Sequence, residues 1–183
     1  MKHSVVLLLF ILTIVTGQAQ DFKAPAKGNA AIYFIRTTAG VLSMADFYFF
    51  DNDKLIGTSN GEKYLRYECA PGEHLFWARS ENRDFITADL MAGKVYLIDA
   101  VPVMGVIADG VSLKFVDMSD NVYRQRIKEI LAGEPVVIPE DKLQKKANAL
   151  KGPVARGLDK YKEEKAAGKI VLRIEKDMFV KVN

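Results

Sequence analysis

Cys69 and His74 lie five residues apart; Cys69 is the only cysteine, and His74 is one of two histidines. A Cys-His pair performs nucleophilic catalysis when its thiolate sits in an exposed, electropositive setting. Here Glu68 adjoins the thiol, and the strand pattern gathers Leu65, Tyr67 and Phe76 around it, which is the setting of a small buried side chain. A Ser-His-Asp triad would need the same His74, and no Gly-x-Ser-x-Gly elbow occurs. Asp51, Asn52 and Asp53 offer oxygens to a hard cation. They are followed by Lys54, Leu55 and Ile56, however, and not by alternating ligands, a glycine and a distant glutamate, so they read as a hairpin turn. Glu62, Glu68, Glu73, Asp84 and Asp89 could supply the carboxylate pair of a glycosidase, but no spacing separates them from solvated surface charge. No glycine-rich phosphate loop is present. The sequence therefore predicts no catalytic residue, no metal site and no cofactor.

Binding chemistry is better represented. If Pro71-Gly72 centres a hairpin, opposed residues have numbers summing to 143, and the two faces sort themselves. Leu65, Tyr67 and Cys69 share a core face with Ala78, Phe76 and His74. The other face sets Tyr64, Arg66 and Glu68 against Arg79, Trp77 and Leu75. Tyr64, Arg66, Trp77 and Arg79 would then present aromatic rings and guanidinium groups together, as surfaces that recognise a protein or a glycan do. The competing reading covers this face with C-terminal helices. Pro-Gly also suits a type II turn, whose twist differs from that of tight hairpins, so the connection can instead arch between two sheets. A basic run, Lys142 to Lys165, is interleaved with Glu140, Asp141, Asp159, Glu163 and Glu164, and reads as a solvated helix face.

The elements that must position these groups follow from the rest of the chain. Lys2 and His3 precede an apolar run, Val5 to Val15, and Gly17, Gln18 and Ala19 place small residues where signal peptidase reads. Residues 1–19 are thus a predicted signal peptide cleaved after Ala19. The run is too short for a retained membrane span, and no cysteine follows it as a lipoprotein anchor. Export to the periplasm or cell envelope is the expected location, with an envelope protein or glycan as the expected partner. The chain has 183 residues, 49% apolar, with 26 Lys+Arg against 23 Asp+Glu; a net charge of +3 gives no footprint for nucleic acid.

Residues 20–118 carry 10 basic and 13 acidic residues, and residues 119–183 carry 15 and 10, so the halves differ in sign. The first half is a series of short apolar segments separated by Asn52-Asp53, Asn60-Gly61, Pro71-Gly72, Ala92-Gly93 and Asp109-Gly110, the punctuation of an antiparallel β-sandwich of about eight strands. Strands are predicted near 29–37, 45–50, 54–58, 63–69, 74–80, 84–90, 94–102 and 112–117. The second half predicts a helix capped by Ser119 or Asp120 and ended by Gly133. A helical stripe from Leu143 to Tyr161 follows, interrupted at Gly152-Pro153, and a final strand lies after Gly168. This helical extension is expected to pack on the sandwich.

The segments AIYFIR (31–36), FYFFDNDKLIGTSNGEKYLRYECAPGEHLFWARSE (47–81) and LMAGKVYLIDA (90–100) resemble the bacterial domain-of-unknown-function family 2846. The shared features are an opening strand ending in Arg36, a hairpin ending in Ile56-Gly57, a Pro-Gly-x-His corner at 71–74 and a Gly-Lys-x-Tyr strand at 93–96. The resemblance spans about residues 29–117. It implies an envelope or secreted β-sandwich and no catalytic residues, although the anchoring cysteine frequent in that family is missing. The reading as a non-enzymatic binding module, with a structural envelope component or an unrecognised hydrolase as alternatives, follows from these observations together. N-terminal sequencing of the exported protein is expected to begin at Gln20; an intact Met1 would remove the secretory reading.

Overall fold

In a computed structural model of the chain, residues 22–38, 46–104, 110–116 and 118–181 are described. The predicted signal peptide with its expected cleavage site at Ala19, and Asp109 of the predicted turn, lie outside them. Among these residues the protein is mainly β, with nine strands in two sheets and three helices.

The first sheet has the order β4 (Leu65–Cys69), β1 (Ala30–Ile35), β7 (Val95–Val103), β8 (Gly110–Phe115). Its central strands β1 and β7 are parallel, Ile35 lying beside Asp99. Both are buried almost throughout, which explains why their sequences are continuous apolar runs with no alternation. The second sheet runs β3 (Lys54–Ser59), β2 (Phe47–Asp51), β5 (Gly72–Arg79), β6 (Arg83–Leu90), β9 (Leu172–Ile174), with β6 and β9 parallel. The sheets are therefore mixed, where a purely antiparallel pattern was expected, because the chain leaves β1 for the second sheet and returns from β6 of that sheet to lay β7 beside β1.

The two sheets pack face to face over Ile32, Phe34, Phe49, Phe76, Ile86, Tyr96 and Ile98. Each outer face is apolar too and receives helices, giving four layers. Helix α1 (Asn121–Leu131) starts at Asp120, whose carboxylate accepts from the Val122 and Tyr123 N–H groups, and lays Ile127 and Leu131 over Tyr33, Ile35 and Leu97. Helices α2 (Glu140–Ala149) and α3 (Lys151–Ala166) break at Leu150, just before Gly152-Pro153, and place Leu143, Ala147, Val154, Leu158 and Tyr161 over Phe50, Trp77 and Phe85. The free edge of β8 is closed from the opposite sheet. Asn82 exchanges hydrogen bonds with the Val111 carbonyl at 2.9 Å and N–H at 2.6 Å, and Asp84 accepts from the Leu113 N–H at 2.8 Å.

The predicted hairpin across Pro71-Gly72 does not form. β4 pairs with β1, whereas β5 pairs with β2 and β6, so the chain arches from one sheet to the other with Gly72 at φ +113°. The facing of each strand survives, since Leu65, Cys69, Phe76 and Ala78 all enter the core between the sheets.

Trp77 is fully buried, stacked on Phe50 at 4.0 Å between centroids, with its indole N–H donating to the Asn52 carbonyl at 2.7 Å. It fits beneath α3 only because residue 157 has no side chain: a Cβ there would lie 2.6 Å from Trp77 Cη2. Gly157→Ala is accordingly expected to destabilise the protein by about 1–3 kcal/mol in urea titrations followed by Trp77 emission, although alanine favours a helix by about 1 kcal/mol. Gly152→Ala, whose Cβ meets only Arg156 Nη1 at 3.4 Å, should be neutral or stabilising.

Candidate functional site

His74, the third residue of β5, reaches back to the end of β2. Its Nδ1 lies 3.0 Å from both Asp51 carboxylate oxygens and its Nε2 lies 2.9 Å from the Ala70 carbonyl. Both ring nitrogens face acceptors, so both carry protons and the imidazole is cationic. The Asp51 hydrogen bond, followed by contact with Cys69, raises the His74 pKa from 6.5 to about 10 against the opposing effect of burial. Asp51 also accepts from the Tyr67 hydroxyl at 3.2 Å and the Asn52 amide at 3.0 Å. Burial, then Asp51, pushes the Tyr67 hydroxyl pKa upward. Cys69 is buried beside this group. The arrangement brings together Cys, His and Asp, yet Nε2, the atom a general base would use, is held by a backbone carbonyl. What it does chemically is hold a charge pair across the corner between the sheets.

A second polar group lies at the other end of β1 and β7. Asp99, fully buried, accepts from the Thr37 N–H at 3.1 Å, the Thr37 hydroxyl at 2.5 Å and the Tyr123 hydroxyl. Burial first, and Asp99 second, raise the Tyr123 pKa. Arg36, also fully buried, donates to the Ser59 carbonyl at 3.2 Å and lies 3.9 Å above the Phe47 ring. Desolvation lowers its pKa, opposed by Asp46 and Asp99. Sequence reasoning passed over this group. The available signal was an acid and a base set at the ends of, or within, the most apolar strands, AIYFIR and VYLIDAVPV.

The four predicted binding residues are divided between opposite outer faces. Trp77 and Arg79 belong to the second sheet, and Trp77 lies under α3, so it is no ligand platform. Arg66 belongs to β4 of the first sheet, and Tyr64 directly precedes that strand. Tyr64 stacks on Tyr33 at 5.8 Å, and Arg66 donates from Nε to the Tyr33 hydroxyl at 3.0 Å. Arg66 Nη2 also donates to Glu68 at 2.5 Å and to the Ala24 carbonyl at 3.1 Å. The segment following α1 runs along this edge, the Val136 N–H donating to the Tyr64 carbonyl at 2.8 Å. Between these walls opens a cleft of about 320 Å³, lined by Tyr33, Tyr64, Arg66, Leu131, Glu134 and Pro135. Burial, then Tyr33 and Glu134, raise the Tyr64 pKa. A larger opening of about 680 Å³ lies between α1 and residues 177–181, lined by Phe22, Phe115, Met118, Lys128 and Phe179 and by none of the four predicted binding residues.

Comparison with protein-family models, curated proteins and solved structures finds no match to this chain. Among the described residues no three His, Cys, Asp or Glu side chains are grouped as a metal site, and no helix is long and apolar enough to cross a membrane.

The His74 pair makes stability depend on pH. A pKa raised by folding means the contribution is complete below about 6.5 and is lost as pH climbs through about 10. Urea unfolding at pH 7, 8.5 and 10 should therefore show stability falling, by on the order of 2–4 kcal/mol in all. Asp51→Asn should be less stable at pH 7 and lose most of that slope.

Proposed function

We propose that the chain is an exported, non-catalytic binding module of the cell envelope that holds a short glycan in the cleft beside Tyr64 and Arg66. The observation that carries this reading is the cleft itself. It is concave, and its 320 Å³ falls in the range of small-ligand sites, roughly 300–1,000 Å³. A protein partner of ordinary affinity needs a broad face of roughly 800 Å² on each side. Arg66 is pinned by Glu68, Tyr33 and the Ala24 carbonyl, so its guanidinium and the Tyr64 ring are preorganised, which lowers the entropy lost on binding. An aromatic ring, a fixed guanidinium and the Glu134 carboxylate are the set that contacts the apolar face and the hydroxyl groups of a sugar.

Export rests on the leader pattern of residues 1–19, and the envelope setting on the resemblance to family 2846. The alternative, a structural component that docks a partner through its C-terminal helices, loses its apolar surface, because the Leu143 to Tyr161 stripe lies against Phe50, Trp77 and Phe85. A hydrolase using His74 would need Nε2 free of Ala70.

The test is ligand-observed NMR and calorimetry with chito-oligosaccharides and soluble peptidoglycan fragments. Tyr64→Ala and Arg66→Ala are each expected to weaken binding at least tenfold, whereas Arg79→Gln on the opposite face leaves it unchanged. Binding of peptides without any oligosaccharide would move the assignment to protein recognition.

A further inference from the structure

On the outer face of the second sheet, one transverse row runs Tyr48, Arg79, Arg83, since Tyr48 is directly opposite Arg79 and Arg79 directly opposite Arg83. Like charges opposed across an antiparallel pair are unfavourable. Two more cations come down from the helices. Lys146 of α2 places its ammonium 5.2 Å from the Tyr48 ring centroid, and the Arg79 guanidinium is 5.9 Å from the same ring. Arg156 of α3 approaches Arg83: burial first, then Arg79 and Arg156, lower the Arg83 pKa.

Elsewhere on the protein arginines are matched to acids, as in Arg66–Glu68, Arg126–Glu62 and Arg173–Glu73. Arg79, Arg83, Arg156 and Lys146 have no ion-pair partner among the described residues, and the Arg83 Nε–H, shut from solvent, has no hydrogen-bond acceptor there. The nearest strand carboxylate, Asp84, is turned to the other sheet, bonded to the Phe85 and Leu113 N–H groups. Four positive charges without an ion-pair partner among the described residues, three of them forked guanidinium groups, suit the charge and the several acceptor oxygens of a phosphate dianion better than a single carboxylate.

We propose that Arg79, Arg83, Arg156 and Lys146 form a binding site for a phosphate group, on the face of the sandwich opposite the Tyr64 cleft. Free phosphate and a phospholipid headgroup share this chemistry. Two arms separate them: thermal melting of the folded protein against inorganic phosphate at constant ionic strength balanced with chloride, and co-sedimentation with vesicles of phosphatidylglycerol or of phosphatidylcholine.

The wild-type Tm is expected to rise saturably with millimolar phosphate, as mass action requires of a ligand that binds the native state. Arg83→Gln and Arg156→Gln should abolish that rise, while their Tm in chloride stays level or increases because a repulsion is removed. Loss of response is thereby separated from loss of fold. Sedimentation with phosphatidylglycerol alone, lost in the same variants, supports the site with a headgroup as the phosphate source. No saturable response in either arm, or a response equal in wild type and both variants, overturns the proposal.

Discussion

The corner at Ala70-Pro71-Gly72 is where the chain leaves one sheet for the other, and the His74 imidazolium holds it. The ring bonds the Ala70 carbonyl within the arch and the Asp51 carboxylate at the end of β2, while Tyr67 brings β4 to the same carboxylate. Three strands from two sheets thus meet on one charge pair. Burying such a pair costs solvation, and the cost is offset only when each proton and lone pair is matched. Here the match is dense: Asp51 receives from His74, Tyr67 and Asn52, and the ring stacks on Phe76 at 5.2 Å. With β4 and β5 committed to different sheets, their inward residues must meet as a sandwich core, and their outward residues must find cover on opposite sides.

That second requirement accounts for the C-terminal third. The outer faces carry Tyr33, Ile35 and Leu97 on one sheet and Phe50, Trp77 and Phe85 on the other, and neither could stand in water as a bare surface. Helix α1 covers the first, and α2 with α3 cover the second. Gly157 lets α3 approach the Trp77 ring closely enough to exclude solvent from it. The helices are therefore part of the sandwich, and open surface is left where the cover stops: the cleft at the β4 edge beyond the end of α1, and the arginine row beyond Trp77.

Strands and helices were legible because their signals are local. All eight predicted strands and the helix starting at Asp120 depend on apolar runs, turn residues and a capping carboxylate. Pairing was not legible, since the faces of Lys63 to Ser80 are the same whether Pro71-Gly72 closes a hairpin or arches between sheets. The four-residue aromatic face depended on that choice. Tyr64 and Arg66 stay neighbours because Tyr64 directly precedes β4, which carries Arg66, and Trp77 and Arg79 because they are two apart on β5, whereas the two pairs part company with their strands. Asp99 and Arg36 were overlooked because a charged residue in a buried run declares its burial but not its partners, and Thr37 and Tyr123 come from distant elements.

The residue types most suggestive of chemistry in the sequence are those the fold has most fully occupied. His74, Asp51 and Asp99 hold partners at each polar atom that a reaction would use. The arginines at 79, 83 and 156 look ordinary in the sequence, each on a strand or helix that also carries acids. Their distinction arises only from the cross-strand register and the path of α3, which bring like charges together and turn Asp84 away. In a marginally stable protein an uncompensated charge cluster lowers the stability of the free state and raises the free energy gained when a counter-ion binds. Saturated polar groups mark what holds this protein together, and the unsaturated row marks where it has most to gain from a ligand.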